Sequence, residues 1–298
     1  MATCGEAVDY GPYYVAKHKG WFDTALQPYG ATVTHRLFQS VAKIEESLAA
    51  NAIDCMFEAE IPAIVLCAAG IDSRIVNVSC SLNQEIVVRN DSGIFQISDL
   101  RDRKVTVLEG SSSHYGLLTV LNGAGLSTQD LSIINMSPPE AQEAFRTKKV
   151  DAWAIWPPFV EEEELAGTAH TLPAASVEIY SVTVMRNKFL MEQPDISKAI
   201  IGVLTKTKQW VAENIHESEN IIAEELDMPL PVVERAFSRH NWRCELDELV
   251  LSEIQRKADF LKSVGAIQTA VDVRRSLLDL SLPLPLTYGS PTASTPCD

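Results

Sequence analysis

Between Thr32 and Arg186 the apolar positions switch repeatedly between two periods. Short apolar runs or every-second-residue alternation predict strands at Thr32–Leu37, Asp54–Phe57, Ile75–Val78, Glu85–Arg89, Lys104–Leu108, Leu131–Asn135 and Asp151–Ile155, with Val177–Arg186 also extended. Between them, apolar residues three and four apart predict helices over Ser40–Ala50, Ile61–Ala69, Ser112–Asn122, Pro139–Lys148 and Pro158–Leu165. Past Arg186 the pattern becomes helical: Asp195–Asn214, Ser218–Leu226, Leu230–Arg239 and Glu245–Val264. Such alternation predicts an α/β fold, mostly parallel sheet with helices on both faces. The Pro-rich stretch Leu282–Asp298 has no periodicity, so 276–298 is expected to be peripheral or disordered.

One device occurs twice. Ala50-Asn51-Ala52-Ile53-Asp54-Cys55-Met56-Phe57 leads to Pro62 and an apolar helix, and Lys148-Lys149-Val150-Asp151-Ala152-Trp153-Ala154-Ile155 leads to Pro157-Pro158 and another. Each is a helix end, an apolar-Asp turn, a buried strand and a helix opening at proline, whose missing N–H costs nothing there. The repetition predicts two similar lobes whose strand ends face a shared cleft, the place where such sheets take ligands.

The sharpest local feature is Val105–Tyr115, VTVLEGSSSHY. A β-type run ends in glycine, three serines and a histidine, and a helical pattern follows. Hydroxyls and unpaired backbone N–H groups at a helix start suit an oxyanion, although a serine N-cap alone has the same spelling.

Composition narrows the partners. A net charge of −15 argues against nucleic acid and anionic membranes. Glu161-Glu162-Glu163-Glu164 reads as the solvated start of a helix, its acids near the positive dipole end. No apolar run approaches the roughly 20 residues of a membrane span. The six cysteines form no CxxC pair and no zinc spacing, so neither a metal nor another cofactor is expected. No signal peptide is evident: the chain as written reads as cytoplasmic, or as periplasmic if an export signal precedes it.

Five segments together resemble the type II periplasmic binding proteins of the branch serving aliphatic sulfonates, taurine, nitrate and thiamine pyrimidine precursors. They are VDYGPYYVAKHKGWF (8–22), LAANAIDCMFEAEIPAIVLCAAG (48–70), EIVVRNDSGIFQISDLRDRKVTV (85–107), GSSSHYGLL (110–118) and VDAWAIWPPFVE (150–161). The resemblance implies two α/β lobes, 1–86 plus 184–275 and 87–183, with hinges near Gln84–Val88 and Ser181–Arg186. It places four segments at the cleft: Asp9 and Tyr10 on the first turn, Glu58 and Glu60 on the second, Ser111, Ser112, Ser113 and His114 as an anion cradle, and Trp156 as a wall. Relatives carry small residues where Glu58 and Glu60 stand, so a zwitterion, amine or amide-bearing ligand fits better than a simple anion.

The function so implied is a solute-binding protein for a small sulfonate-like or zwitterionic molecule, with ABC-importer membrane subunits as partners and no catalytic residue. The alternatives are a ligand sensor, or a cytoplasmic enzyme on the same fold. That enzyme would carry out pyrimidine-precursor chemistry or desulfinase-like C–S cleavage, the latter with Cys4 or Cys80 as nucleophile.

Overall fold

The computed structural model describes residues 1–4, 7–38 and 41–276. Of the expected tail, 277–298 lies outside them. The chain enters through β1 (Ala2–Cys4), α1 (Gly11–His18), α2 (Trp21–Leu26), β2 (Arg36–Phe38), α3 (Val41–Ala49), β3 (Cys55–Ala59), α4 (Glu60–Ala68) and β4 (Ser73–Arg89). A second lobe follows: β5 (Lys104–Val107), α5 (Ser112–Gly123), β6 (Ser132–Asn135), α6 (Pro138–Arg146), β7 (Ala152–Ile155), α7 (Phe159–Leu165) and β8 (Ala169–Thr171). β9 (Val177–Arg186) returns to the first lobe. There α8 (Asn187–Glu192), α9 (Pro194–Glu213), α10 (Ile215–Leu226), α11 (Leu230–Ser238), α12 (Glu248–Ser263) and α13 (Val273–Ser276) follow.

Strand order is β2-β1-β3-β9-β4-β7-β5-β6, with β8 also on β4. β1, β2 and β3 are mutually parallel, as are β5, β6 and β7. β9 runs antiparallel to β3 and β4, and β4 antiparallel to β7. These directions fix the site. β3 runs the same way as β4, whose far end lies in lobe two, so the carboxyl ends of β1 and β3 point toward lobe two. β5 and β7 run against β4, so their carboxyl ends point back toward lobe one.

Alternation along β3 shows why the first lobe needs helices on both faces. Cys55 and Phe57 join one core with Val15, Phe22, Leu204 and Phe237. Met56 joins another with Ile44, Leu48, Ile64 and Leu251. Each such side chain, fully buried, contributes about 1.5–3 kcal/mol. The repeated device is real at backbone level: Asn51 and Lys148, each just past a helix end, both take left-handed φ, 60° and 61°. Asp54 then pairs with Arg186, and Asp151 accepts from the Lys104 amide at 2.9 Å.

Three expectations change. Ile75–Val78 and Glu85–Arg89 are the two ends of one 17-residue strand. The polar stretch between them stays extended because its groups are satisfied inside: Ser81 donates to Glu178 at 2.7 Å, and Gln84 accepts from Ser113 at 2.5 Å. Register shifts near Val78 free its carbonyl, which the buried Lys208 ammonium takes at 3.0 Å. Secondly, Ser181–Arg186 is not at the lobe boundary. β9 pairs with β4 from Val177 and with β3 from Ser181, so the boundary read at 183/184 falls inside a central strand of lobe one. The return crossing precedes it, with Thr171 opposite Val87 and Val177 opposite Gln84. Thirdly, the glutamate run is not solvated. Glu161 is 0% and Glu163 1% exposed. Arg146 of α6 holds Glu163 at 2.8 Å. Arg239, just past α11, reaches Glu161 at 3.1 Å, Glu164 at 2.7 Å and Glu85 at 3.1 Å, and Arg235 adds a second bond to Glu164 at 2.8 Å. Basic side chains from other elements, invisible in the run itself, drew it inside.

Candidate functional site: an interlobe cleft

All four sequence segments lie at the inward-pointing strand ends. On lobe two, β5 leads into a turn whose Gly110 has φ +81°, a conformation that disfavours any side chain. Asn135, closing β6, accepts from the Glu109 amide at 3.0 Å and pins the turn. Ser111 caps α5: its hydroxyl donates to the Leu108 carbonyl at 2.7 Å and accepts from the His114 amide at 3.3 Å. Ser113 donates to Gln84 on the crossing strand. His114 closes the turn locally, Nδ1 accepting from the Gly110 amide at 3.3 Å, and burial holds its imidazole below its ordinary pKa.

Ser112 differs from its neighbours. It is buried, and among the described residues its hydroxyl makes no hydrogen bond. The amides of Ser112 and Ser113, first in the helix, have no intrahelical acceptor. The helix start therefore keeps one hydroxyl and two N–H groups for something outside itself. Trp156 follows β7, half-buried and edge-on to Phe159 at 6.2 Å, whereas Trp153 is core.

Lobe one presents acids. Asp9 and Tyr10 form the short 3-10 turn before α1. Asp9 is buried, and desolvation pushes its carboxyl up to about 6, the Ser181 hydroxyl only partly opposing this. Tyr10 packs near Phe57 at 6.1 Å and Tyr14 at 6.5 Å. Glu60 is committed to the interior: one oxygen pairs with Lys257 of α12 and the other accepts from the Tyr180 amide at 3.0 Å. Glu58, by contrast, has two buried oxygens with no hydrogen-bond partner among the described residues. Desolvation, then Glu45 beside it, push its carboxyl well above the ordinary range.

Gln84, Lys257 and Arg239 were not anticipated as supports of this region. Only pairing across the fold identifies them, because each partner is remote in sequence. Cys80, a candidate nucleophile, lies buried with its thiol directed at the Asp9 carbonyl, 3.6 Å away. Burial first, and Asp9 second, raise its pKa well above normal, the reverse of what a thiolate nucleophile requires. The Cys4 side chain lies outside the described atoms. Among the described residues no cluster of His, Cys, Asp or Glu is placed to hold a metal ion, and no helix is long and apolar enough to cross a membrane.

Two inward-facing strand ends, one carrying a serine-rich helix start, agree with the family match: the NMT1/THI5-like family profile covers residues 7–218. The chain belongs to the NMT1/THI5-like family. It is 33% identical over 272 residues to a Bacillus subtilis protein named for aliphatic-sulfonate binding, covering 88% of this chain and 81% of that one. An Escherichia coli protein named for the same binding is 28% identical over 247 residues, 80% and 77% of the two chains. The alkanesulfonate-binding protein SsuA of Xanthomonas axonopodis, solved with MOPS, superposes with a TM-score of 0.78 at 22% identity, covering 93% of this chain and 97% of that one. That superposition establishes the two-lobed periplasmic-binding-protein fold.

Proposed function

We propose that this family member is a solute-binding protein that closes its lobes on a small organic sulfonate and delivers it to the membrane subunits of an ABC importer. The observation carrying the reading is the start of α5, where Ser111 and Ser113 are spent on structure while the Ser112 hydroxyl and two amides remain for a ligand oxyanion. The 33% identity to a sulfonate-named relative supports the ligand class. Trp156 walls the ligand's body, Tyr10 backs the opposite turn, and delivery to an importer places the working protein outside the cytoplasm. Asp9, buried on the first turn beside the Ser181 hydroxyl, has its carboxyl pushed up to about 6 by desolvation.

A thermal-shift panel of alkanesulfonates tests this. A ligand at 100 times its Kd adds about 2.7 kcal/mol of stability, several degrees in Tm. Ser112→Asp, which sets a carboxylate against the anion, should abolish the shift while leaving the unliganded Tm close to wild type. A full shift in that variant would remove the cradle from the reading.

A further inference from the structure

A charged contact between the lobes flanks the cleft. In lobe one, α11 packs against the Val8–Tyr10 turn, and in lobe two α7 opens just after Trp156. The two helices also pack on each other. Arg239, just past α11, reaches Glu161 and Glu164 of α7 and Glu85 of β4, and Arg235 reaches Glu164. Three carboxylates thus share two guanidinium groups, so one negative charge in the cluster is not compensated.

The three acids are not equal. Glu164 accepts from Arg235 at 2.8 Å, from Arg239 at 2.7 Å and from Thr171 at 3.2 Å. Against the effect of its partial burial, the two arginines hold its carboxyl below the usual range. Glu85 accepts one bond from Arg239 at 3.1 Å. Burial raises its carboxyl, and Arg239 partly opposes that. Glu161 is 0% exposed, and among the described residues neither oxygen accepts a hydrogen bond, although the Arg239 guanidinium stands 3.1 Å away. The surplus charge costs most there, so a proton stabilises most there. Burial, only partly countered by Arg239, pushes Glu161 up to about 7. The neighbouring charged groups are engaged elsewhere. Arg146 of α6 faces Glu162 and Glu163. His240 is enclosed by its own lobe, Nδ1 2.6 Å from the Ala236 carbonyl and the ring stacked on Trp242, and burial lowers it to about 4. The Asp9 carboxyl, on the turn against α11, bonds the Ser181 hydroxyl of the same lobe.

We propose that Glu161 and Arg239 form a proton-operated latch between the lobes: closure shuts Glu161 away from water as a neutral acid and takes up one proton, and opening returns it to solvent as a carboxylate. This rests on the solute-binding reading above for the ligand that drives closure, and adds a control on that closure. In the open form Glu161 meets water and titrates near its ordinary 4.5, and in the closed form near 7. Between those values the closed form holds more protons, so acid favours closure and affinity falls as pH rises. A ligand with no titratable group in this range shows the same dependence. With these two values, affinity falls about tenfold from pH 6 to pH 8.

Titration calorimetry of the full chain with ethanesulfonate at pH 6 and 8, in buffers of different protonation enthalpy, reads the latch. The expected result is an affinity about tenfold weaker at pH 8, with uptake of nearly one proton at pH 6. Glu161→Gln, an isostere of the neutral acid, should bind at both pH values with the wild type's pH 6 affinity and take up no proton. A residue that only supported the fold would not give that gain at pH 8. Distances between spin labels across the cleft, measured without ligand, give a second reading. The short-distance fraction should be larger at pH 6 than at pH 8 in wild type and the same at both in Glu161→Gln. Binding and distances that ignore pH in wild type, or a pH dependence that survives undiminished in the variant, overturn the latch and leave the sulfonate function standing. Distances that respond to pH in a protein that binds no ethanesulfonate would remove the function and keep the latch. If neither is seen, both fall. The wild-type proton count and distances need no change at Glu161, so they decide the matter even if the variant folds poorly.

Discussion

The two flanks of the lobe junction are built from unlike materials. On one, Arg235 and Arg239 of lobe one sit among Glu161 and Glu164 of α7 and Glu85 of the crossing strand. On the other, Tyr115 of α5 meets Phe260 of α12 edge-on at 5.6 Å, and Ser113 bonds Gln84. Behind that contact the Lys257 ammonium lies 4.5 Å from the Tyr180 ring centre while it neutralises Glu60. The first flank gathers titratable acids around shared cations in a desolvated place, and the second rests on contact area and one enclosed pair. The difference teaches that pH should act on the two flanks unequally, so a binding protein of this design can loosen one side of its joint without dissolving the other.

The largest effect should come from the enclosed pair. Lys257→Met leaves Glu60 buried without its cation, and breaking such a pair costs about 3–5 kcal/mol. Urea denaturation should show that loss, and a change under 1 kcal/mol would mean that Glu60 is not charged in the folded chain. Arg239→Ala comes next. It strips a shared cation from three acids, but Arg239 is partly exposed, so a smaller loss of about 2 kcal/mol is expected. Distances measured between spin labels on the two lobes should broaden in that variant and stay narrow in Phe260→Leu.

The smallest effect is a slope. Burial, only partly countered by Arg239, raises Glu161 from 4.5 to about 7, so between those values the folded chain binds more protons than the unfolded one. Stability therefore falls as pH rises through that window. Glu45, raised to about 7, and Asp9, raised to about 6, act in the same sense. His240, which burial lowers to about 4, acts in the opposite sense, so the readable quantity is a difference: between pH 5.5 and 7.5 Glu161→Gln should lose one group's share of the fall relative to wild type. An unchanged slope in that variant would remove Glu161 from the titrating flank.

The periodicity of the chain spelled out most of the scaffold, because amphipathic strands and helices carry their burial pattern within a few neighbouring residues. The start of α5 was equally plain, since a capping serine, a glycine turn and a strand are all local. What stayed hidden depends on distant partners. Nothing near Glu60 announces Lys257, and nothing near Glu58 announces that its oxygens find no hydrogen-bond partner among the described residues. The run Glu161–Glu164 looked like a solvated face until Arg146 and Arg239 were brought against it. The polar residues between Ile75 and Arg89 masked a single strand, because their side chains find partners on β9 and α5 rather than in water.

That single strand has a mechanical consequence. β4 passes from one lobe to the other without a break, and the returning chain lies alongside it through β8 and the beginning of β9. The lobes are thus joined by a narrow antiparallel ribbon. Such a ribbon is hydrogen-bonded on either side of the turn at residues 172–176, through β8 and again from Val177, and resists stretching, while two-stranded ribbons tolerate the widest range of twist. The joint should behave as a torsion spring: the lobes turn about the ribbon's axis as they open, and the separation measured along that axis stays constant.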